Sequence, residues 1–301
     1  MALQFWILTG PTAVGKTRLA VEAAERRRTE IIGADAFQVY QGLGTLAGAP
    51  SRSELARVPH HLIGFLPVYE QFSAAQYADL ARAKIGELNE RGIVPIVVGG
   101  TGFYLKALLD PLPPLPSASP EIRAQLQSVS LESLLDELQG RDPVAYNRID
   151  RANRRRVERA IEVCRLTGRP FSSFLDPVLQ PTSVPSICLS LERGQLNQRI
   201  DVRVNAMLAE GAIDEVRRLR NEASETAAQI IGFGLIQEYL AGQRPLDSCR
   251  EAMQIATRQY AKRQMTWFRR QTFTMMSAEV QLSELLAAFE AQVLKEPRSE
   301  E

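Results

Sequence analysis

Soft metal ligands and disulfide partners are scarce in this chain of 301 residues, which carries three cysteines and two histidines. Cys164, Cys188 and Cys249 are odd in number, far apart and never arranged as C-x-x-C. That excludes a disulfide framework and a cysteine zinc site, and it points to a reducing compartment. His60 and His61 are neighbours. Adjacent residues of a strand face opposite sides, and no third ligand follows at useful spacing, so a structural or rim place is expected rather than a metal pair. Surplus charge is missing too: 36 Lys and Arg against 35 Asp and Glu leave a net +1. The chain is no general polycation, and any nucleic-acid contact has to come from a local patch. No apolar run reaches membrane length, and the first residues show neither a basic n-region nor a small-residue cleavage site. A cytoplasmic protein with no membrane partner is expected. With no coiled-coil or long apolar seam, so is a monomer.

What is present begins at Gly10-Pro11-Thr12-Ala13-Val14-Gly15-Lys16-Thr17, which fits G-x-x-x-x-G-K-[ST] at every fixed position. Before it stands the apolar run Phe5-Trp6-Ile7-Leu8-Thr9, as a buried strand requires. After it Leu19, Ala20, Ala23 and Ala24 recur at helical spacing. A strand, a glycine loop and a helix N-terminus aim backbone N–H groups at one point. Together with the helix dipole and the Lys16 ammonium they suit a di- or triphosphate, and Thr17 offers a hydroxyl to Mg²⁺.

Residues 30–35 read as a second buried strand ending on Asp35. In open α/β sheets ligands lie outside the carboxyl ends of strands. Asp35 therefore reads either as a turn residue or as a carboxylate on the rim of the phosphate loop. Residues 41–59, rich in Gly, Ala, Ser and Pro, are expected to form a loop over the site. A helix is expected over 72–91, then a central parallel strand at 94–98 running into Gly99-Gly100-Thr101-Gly102. Thr101 can donate a hydroxyl there to a ligand oxygen. Four prolines between 112 and 120 punctuate the chain, residues 119–176 read helical, and strand character returns at 186–191. The expected fold is α/β: a P-loop NTPase-like parallel sheet core (1–114 and 186–301, with C-terminal helices) interrupted by an all-helical insertion domain (115–185).

Residues 141–170 hold nine arginines against four acids. On a helix expected over 151–166, Val157, Ala160, Ile161 and Cys164 make an apolar stripe, and Arg151, Arg155 and Arg159 line another face. A solvated face with pairs such as Arg154–Glu158 is one account. A phosphate-backbone contact is the other, since the arginines outnumber what Glu158 and Glu162 can pair. Residues 257–270 carry five basic residues and no acid, with Tyr260, Trp267 and Phe268 interleaved. That fits either an RNA surface or an amphipathic core helix with a basic back.

Several motifs in one order resemble the tRNA dimethylallyltransferases. They are GPTAVGKT, Ala34-Asp35 with Gln38-Val39-Tyr40, Val58-Pro59-His60-His61-Leu62-Ile63, Val98-Gly99-Gly100-Thr101-Gly102-Phe103-Tyr104-Leu105-Lys106, Asn153-Arg154-Arg155-Arg156-Val157 with Arg159-Ala160-Ile161-Glu162-Val163, and the run 257–268. The resemblance implies that the loop 10–17 holds the diphosphate of dimethylallyl diphosphate, with Mg²⁺ on Thr17. Lys16 and Thr101 then assist the leaving group, and Asp35 accepts a proton from the attacking adenine N6 or orients that amine. It also implies that Asp35, Ala36, Phe37, Gln38 and Thr101 meet the tRNA, and that Arg123 with Arg155, Arg156, Val157, Glu158 and Arg159 grip the anticodon stem-loop. The adenosine modified is the one beside the anticodon.

The chain departs from that pattern in places. Ala36 replaces the family's usual serine. Its D-I-G-T-A-K-P loop appears as Gly44-Thr45-Leu46-Ala47-Gly48-Ala49-Pro50, without the acid and the lysine. Gly64 stands for an aspartate, and the basic residue that often follows the aromatic near Phe233 is missing. Three other activities compete: prenylation of free AMP, ADP or ATP, a small-molecule kinase, and a non-catalytic RNA-binding relative. The basic segments count against the first, and the absence of γ-phosphate machinery counts against the second.

Overall fold

The computed structural model describes residues 3–110, 113, 115–175 and 184–293. Part of the proline-rich junction (Pro111, Leu112, Pro114), the end of the expected insertion (176–183) and the C-terminal tail lie outside them. By its contacts the chain divides into two units, residues 1–109 with 182–301, and residues 110–181.

The larger unit is built on a six-stranded, all-parallel sheet. Its strands are β1 (Trp6–Thr9), β2 (Ile31–Gly33), β3 (His60–His61), β4 (Ile96–Gly99), β5 (Ser186–Ser190) and β6 (Thr274–Ser277), in the order β3-β2-β4-β1-β5-β6. β1 and β4 are apolar almost without interruption because helices cover both faces of a parallel sheet. Ile7 and Leu8 have no exposed surface; burying each contributes about 1.5–3 kcal/mol. Connecting helices are α1 (Lys16–Arg27), α2 (Gly44–Ala47), α3 (Arg52–Arg57), α4 (Ala74–Glu90) and α5 (Gly102–Leu109). The stretch 41–59 is therefore not the plain loop expected. Ser51 starts α3 with a reciprocal capping box to Glu54, and the Glu215 carboxylate accepts the N–H groups of Thr45 and Leu46 at the start of α2.

The smaller unit is helical: α6 (Pro120–Gln127), α7 (Leu131–Arg141), α8 (Pro143–Arg148) and α9 (Arg154–Thr167). Ser119, Ser130, Asp142 and Asn153 each cap the helix that follows. Leu126, Leu134, Leu138, Ala145, Val157, Ala160 and Ile161 form its core. The Asn153 cap corrects the expected start of the arginine helix. Arg151 lies before α9, and its guanidinium rests 5.1 Å over the Tyr146 ring.

The chain then returns to the sheet through β5 and adds α10 (Arg193–Ala209), α11 (Ala212–Leu219), α12 (Phe233–Leu240), α13 (Leu246–Phe268) and α14 (Leu282–Val293). Phe268 is buried, Trp267 is partly so, and α13 packs against α10 and α5. No helix among the described residues is long and apolar enough to cross a membrane.

Candidate functional site

Strands β2, β4 and β1 are neighbours, so the segments leaving their carboxyl ends emerge side by side. These are the Asp35 segment, the Gly100-Thr101 turn and the loop 10–17. Gly99 permits the close fit, because a Cβ there would lie 2.0 Å from the carbonyl oxygen of Ala34. Hydrogen bonds then stitch the three together. Thr9 Oγ1 donates to the Gly99 carbonyl (2.7 Å), and the Ala36 N–H donates to Thr101 Oγ1 (3.0 Å). Asp35 Oδ1 accepts the Phe37 N–H at 3.0 Å, which orients the carboxylate. The serine hydroxyl missing at position 36 leaves this backbone bond intact.

Asp35, Lys16, Thr17 and Gln38 line one cavity of about 380 Å³, together with Thr12, Ala13 and Gly15. The rim carboxylate and the phosphate loop thus share a pocket, and Asp35 combines the turn bond to Phe37 with a place on that pocket's lining. Lys16 Nζ donates to the carbonyls of Gly10 (2.9 Å) and Pro11 (2.8 Å). Burial lowers its pKa to about 8, with the Asp35 charge opposing the shift and Arg203 adding to it. Beneath it, burial pushes the Cys188 thiol up to about 12, so that thiol is no nucleophile at neutral pH.

Helices distant in sequence complete the pocket, and none of their contributions was read from the chain. From α10, Arg199 Nη1 donates to the Val14 carbonyl at 3.1 Å, and Arg203 Nη2 donates to the Gly48 carbonyl at 3.0 Å. Gln38 Nε2 reaches the same carbonyl at 3.0 Å. Gly48 is left-handed at φ 59°, and a Cβ there would fall 1.7 Å from Arg203 Nη2. Gly48 therefore leaves room for the Arg203 guanidinium. Burial lowers the pKa of Arg203, while Asp35 and Glu54 pull it back. Spacing i, i+4 was the available signal for Arg199 and Arg203, but it does not say which face of α10 meets the pocket. From α13, Tyr260 lines the pocket with Thr101 and Gln264 beside its hydroxyl, and its pKa is raised by burial and by the Asp35 charge.

The pocket is amphipathic. Lys16, Arg18, Arg199 and Arg203 face it against Asp35 and Glu54, which suits a polyanion. Leu46, Val204, Met207, Ile230 and Met253 supply an apolar wall, which suits a short hydrocarbon group. Among the described residues no three His, Cys, Asp or Glu gather to hold a metal. His61 Nε2 instead sits 2.6 Å from Glu30 Oε2, His60 Nδ1 sits 2.8 Å from the Val58 carbonyl, and both serve the sheet edge.

In the helical unit the residues assigned to RNA separate into two groups. Val157 is fully buried in the core, which corrects its place on a contact surface. Glu158 pairs with Arg154 at 2.7 Å. Glu162, 1% exposed, accepts from Arg159 (2.6 Å), Arg123 (3.1 Å) and the Ser119 N–H (2.8 Å), so Arg123 and Arg159 neutralise a buried acid. Arg155 and Arg156 are exposed. Arg154, Arg155 and Arg156 crowd the first turn of α9, which holds no acid. Cations at the positive end of a helix dipole cost stability unless an anion lies against them.

Residues 38–271 match the model of the IPP transferase family. The tRNA dimethylallyltransferase of Geobacter sulfurreducens is 42% identical over 274 residues, spanning 88% of each chain. That of Halorhodospira halophila is 41% identical over 277 residues, 88% of this chain and 89% of its own. The structure resembles the full-length tRNA isopentenylpyrophosphate transferase of Bacillus halodurans, with a TM-score of 0.71 and 33% identity over 97% of this chain and 99% of that one. A eukaryotic dimethylallyltransferase acting on tRNA shares the fold at a TM-score of 0.84 and 24% identity, covering 100% of this chain and 82% of that one. Sequence, fold and the order of the motifs agree: the chain belongs to the IPP transferase family.

Proposed function

We propose that this protein transfers a dimethylallyl group from dimethylallyl diphosphate to N6 of the adenosine adjacent to the anticodon in tRNA, releasing diphosphate. The observation that carries the reading is the single pocket in which a phosphate loop, an oriented carboxylate and an apolar wall face one another. Its relatives are named for this activity, and a protein acting on tRNA in the cytoplasm fits the chain.

The chemistry follows from the charges. As the allylic C–O bond breaks, the electron pair passes to the diphosphate, where negative charge grows. Backbone N–H groups at the start of α1, the Lys16 ammonium and the arginines of α10 stabilise that charge most in the transition state. In this reading the Thr101 hydroxyl, which accepts from the Ala36 N–H, gives its own hydrogen to the bridging oxygen. The new N–C bond forms at the same carbon, and the proton lost from N6 goes to the Asp35 carboxylate. To enter the pocket the adenine leaves its stack. The cavity supplies oxygen donors of the kind Mg²⁺ takes. Thr17 would hold the ion, which would supply positive charge to offset that of the leaving group.

Because Lys16 has a pKa of about 8 before any anion binds, diphosphate affinity is fully present below that pH. It falls as pH rises through it, by up to about tenfold per unit. Titration calorimetry with inorganic diphosphate at rising pH is expected to show this weakening, with proton uptake on binding in alkaline buffer. A pH-independent affinity would contradict the role of the ammonium.

The exposure of Arg155 and Arg156 on the helical unit supports an RNA backbone there, and on the core the basic residues Lys262 and Arg263 of α13, with Arg270 just beyond its end, support a contact of their own. Arg155→Ala with Arg156→Ala is expected to weaken tRNA binding and to flatten its salt dependence. The slope of log K against log salt should shrink by about 0.7–0.9 for each phosphate that the variant no longer neutralises. A change confined to the KM of the prenyl donor would remove this surface from the RNA.

One assay tests the main reading: labelled dimethylallyl diphosphate and Mg²⁺ with either unmodified tRNA or AMP. Label in tRNA is expected. Label in AMP alone, ATP consumption with a small acceptor, or tRNA binding without transfer would each replace the proposal with one of its competitors.

A further inference from the structure

We propose that Gln264 is a positioning residue for this reaction, holding the phosphate loop and the Thr101 turn at the separation that leaving-group departure requires; this rests on the function proposed above. Gln264 is 6% exposed, on α13. Its Oε1 accepts the N–H of Thr12 at 2.9 Å, and its Nε2 donates to the carbonyl of Gly100 at 2.8 Å. A backbone N–H only donates and a carbonyl only accepts, so the orientation of the amide is determined. One side chain thus spans two loops leaving neighbouring strands, 252 and 164 residues away.

Each end touches a residue next to the chemistry. Thr12 follows Gly10 and Pro11, whose carbonyls hold Lys16. Gly100 precedes Thr101, whose hydroxyl takes the N–H of Ala36, beside Asp35. One turn earlier on the same helix, Tyr260 lies beside both Thr101 and Gln264. The amide therefore acts on the reaction through Lys16 and Thr101. Both groups work as the C–O bond breaks, so a shift between them shows in kcat rather than in donor binding.

A buried amide kept only for folding and one kept for alignment differ in a measurable way. Steady-state transfer to unmodified tRNA by the full chain is measured from about pH 6 to about pH 9, each variant as a ratio to wild type. Gln264→Leu is expected to lower kcat about tenfold or more at every pH, with the donor KM changed less than about threefold. Gln264→Glu keeps the shape. At high pH its carboxylate opposes the Gly100 carbonyl and kcat falls similarly. At low pH the protonated acid again donates to Gly100 and accepts from Thr12, and kcat returns to within about threefold of wild type. The charged or titratable groups lining the same pocket are Lys16, Arg18, Asp35, Glu54, Arg199, Arg203 and Tyr260, whose titration in the wild-type protein the ratio divides out. Gly100→Ala attacks the contact from the other side, since the new Cβ would lie 2.4 Å from Nε2. It should reproduce the kcat loss without a substitution in α13, which decides the matter if Gln264→Leu does not fold. Wild-type kcat in Gln264→Leu or Gly100→Ala, or a pH-independent ratio for Gln264→Glu, overturns the proposal. No transfer by the wild-type protein would instead remove the function on which it rests.

Discussion

Asp35→Asn is expected to lower kcat for prenyl transfer by about 10²–10⁴ while tRNA affinity stays within a few-fold. The asparagine Oδ1 can still accept the Phe37 N–H that orients the native carboxylate, so shape is kept and basicity is lost. Adenine N6 sheds a proton as it is alkylated, and no other carboxylate in the pocket leaves a strand end adjacent to the loop 10–17; Glu54, the other acid lining it, lies on α3. There is a second consequence. The Asp35 charge is the chief influence opposing the effect of burial on Lys16. Without it, the pH above which diphosphate binding weakens should move below about 8. Single-turnover rates and diphosphate titration on one preparation check both effects. A rate within about threefold of wild type would end the assignment of Asp35 as base.

Lys16→Met carries the other large effect, a fall in kcat of about 10²–10³. Methionine has a similar reach and no charge, so the change removes a cation from the place where diphosphate charge develops and little else. Arg199 and Arg203 remain in the pocket, and they keep the substrate bound better than it is turned over. The expected pattern is thus a large loss in kcat and a smaller rise in the donor KM, with tRNA affinity unchanged. A rise in the donor KM with kcat unchanged would place Lys16 in ground-state binding alone. Melting curves separate this from collapse of the loop, where the ammonium also holds the carbonyls of Gly10 and Pro11.

Local signals account for a good part of this molecule. A continuous apolar run is what a strand buried on both faces needs, and β1 and β4 lie at such runs. Helical spacing located α1 and α4, and the buried stripe of α9 came from the same rule. Boundaries were less legible where a cap decided them. The N-cap at Asn153 pushed Arg151 out of its helix, and a capping box made α3 out of a stretch whose composition suggests only loop. β6 was not foreseen: its four residues carry too little alternation to stand out, and pairing with β5 is what makes them a strand.

By itself the sequence determined the phosphate loop, the strand-end aspartate and the glycine turn with Thr101, because each is a contiguous pattern whose chemistry is local. Only the tertiary structure decided that Arg199, Arg203, Tyr260 and Gln264 join them, and that Arg123 and Arg159 are occupied by a buried glutamate. A helix displays every face to someone reading its residues in line. Which face meets a pocket, and which arginine meets an acid, is settled when apolar stripes from distant segments are packed against one sheet or one helical core, and that packing is a property of the whole chain.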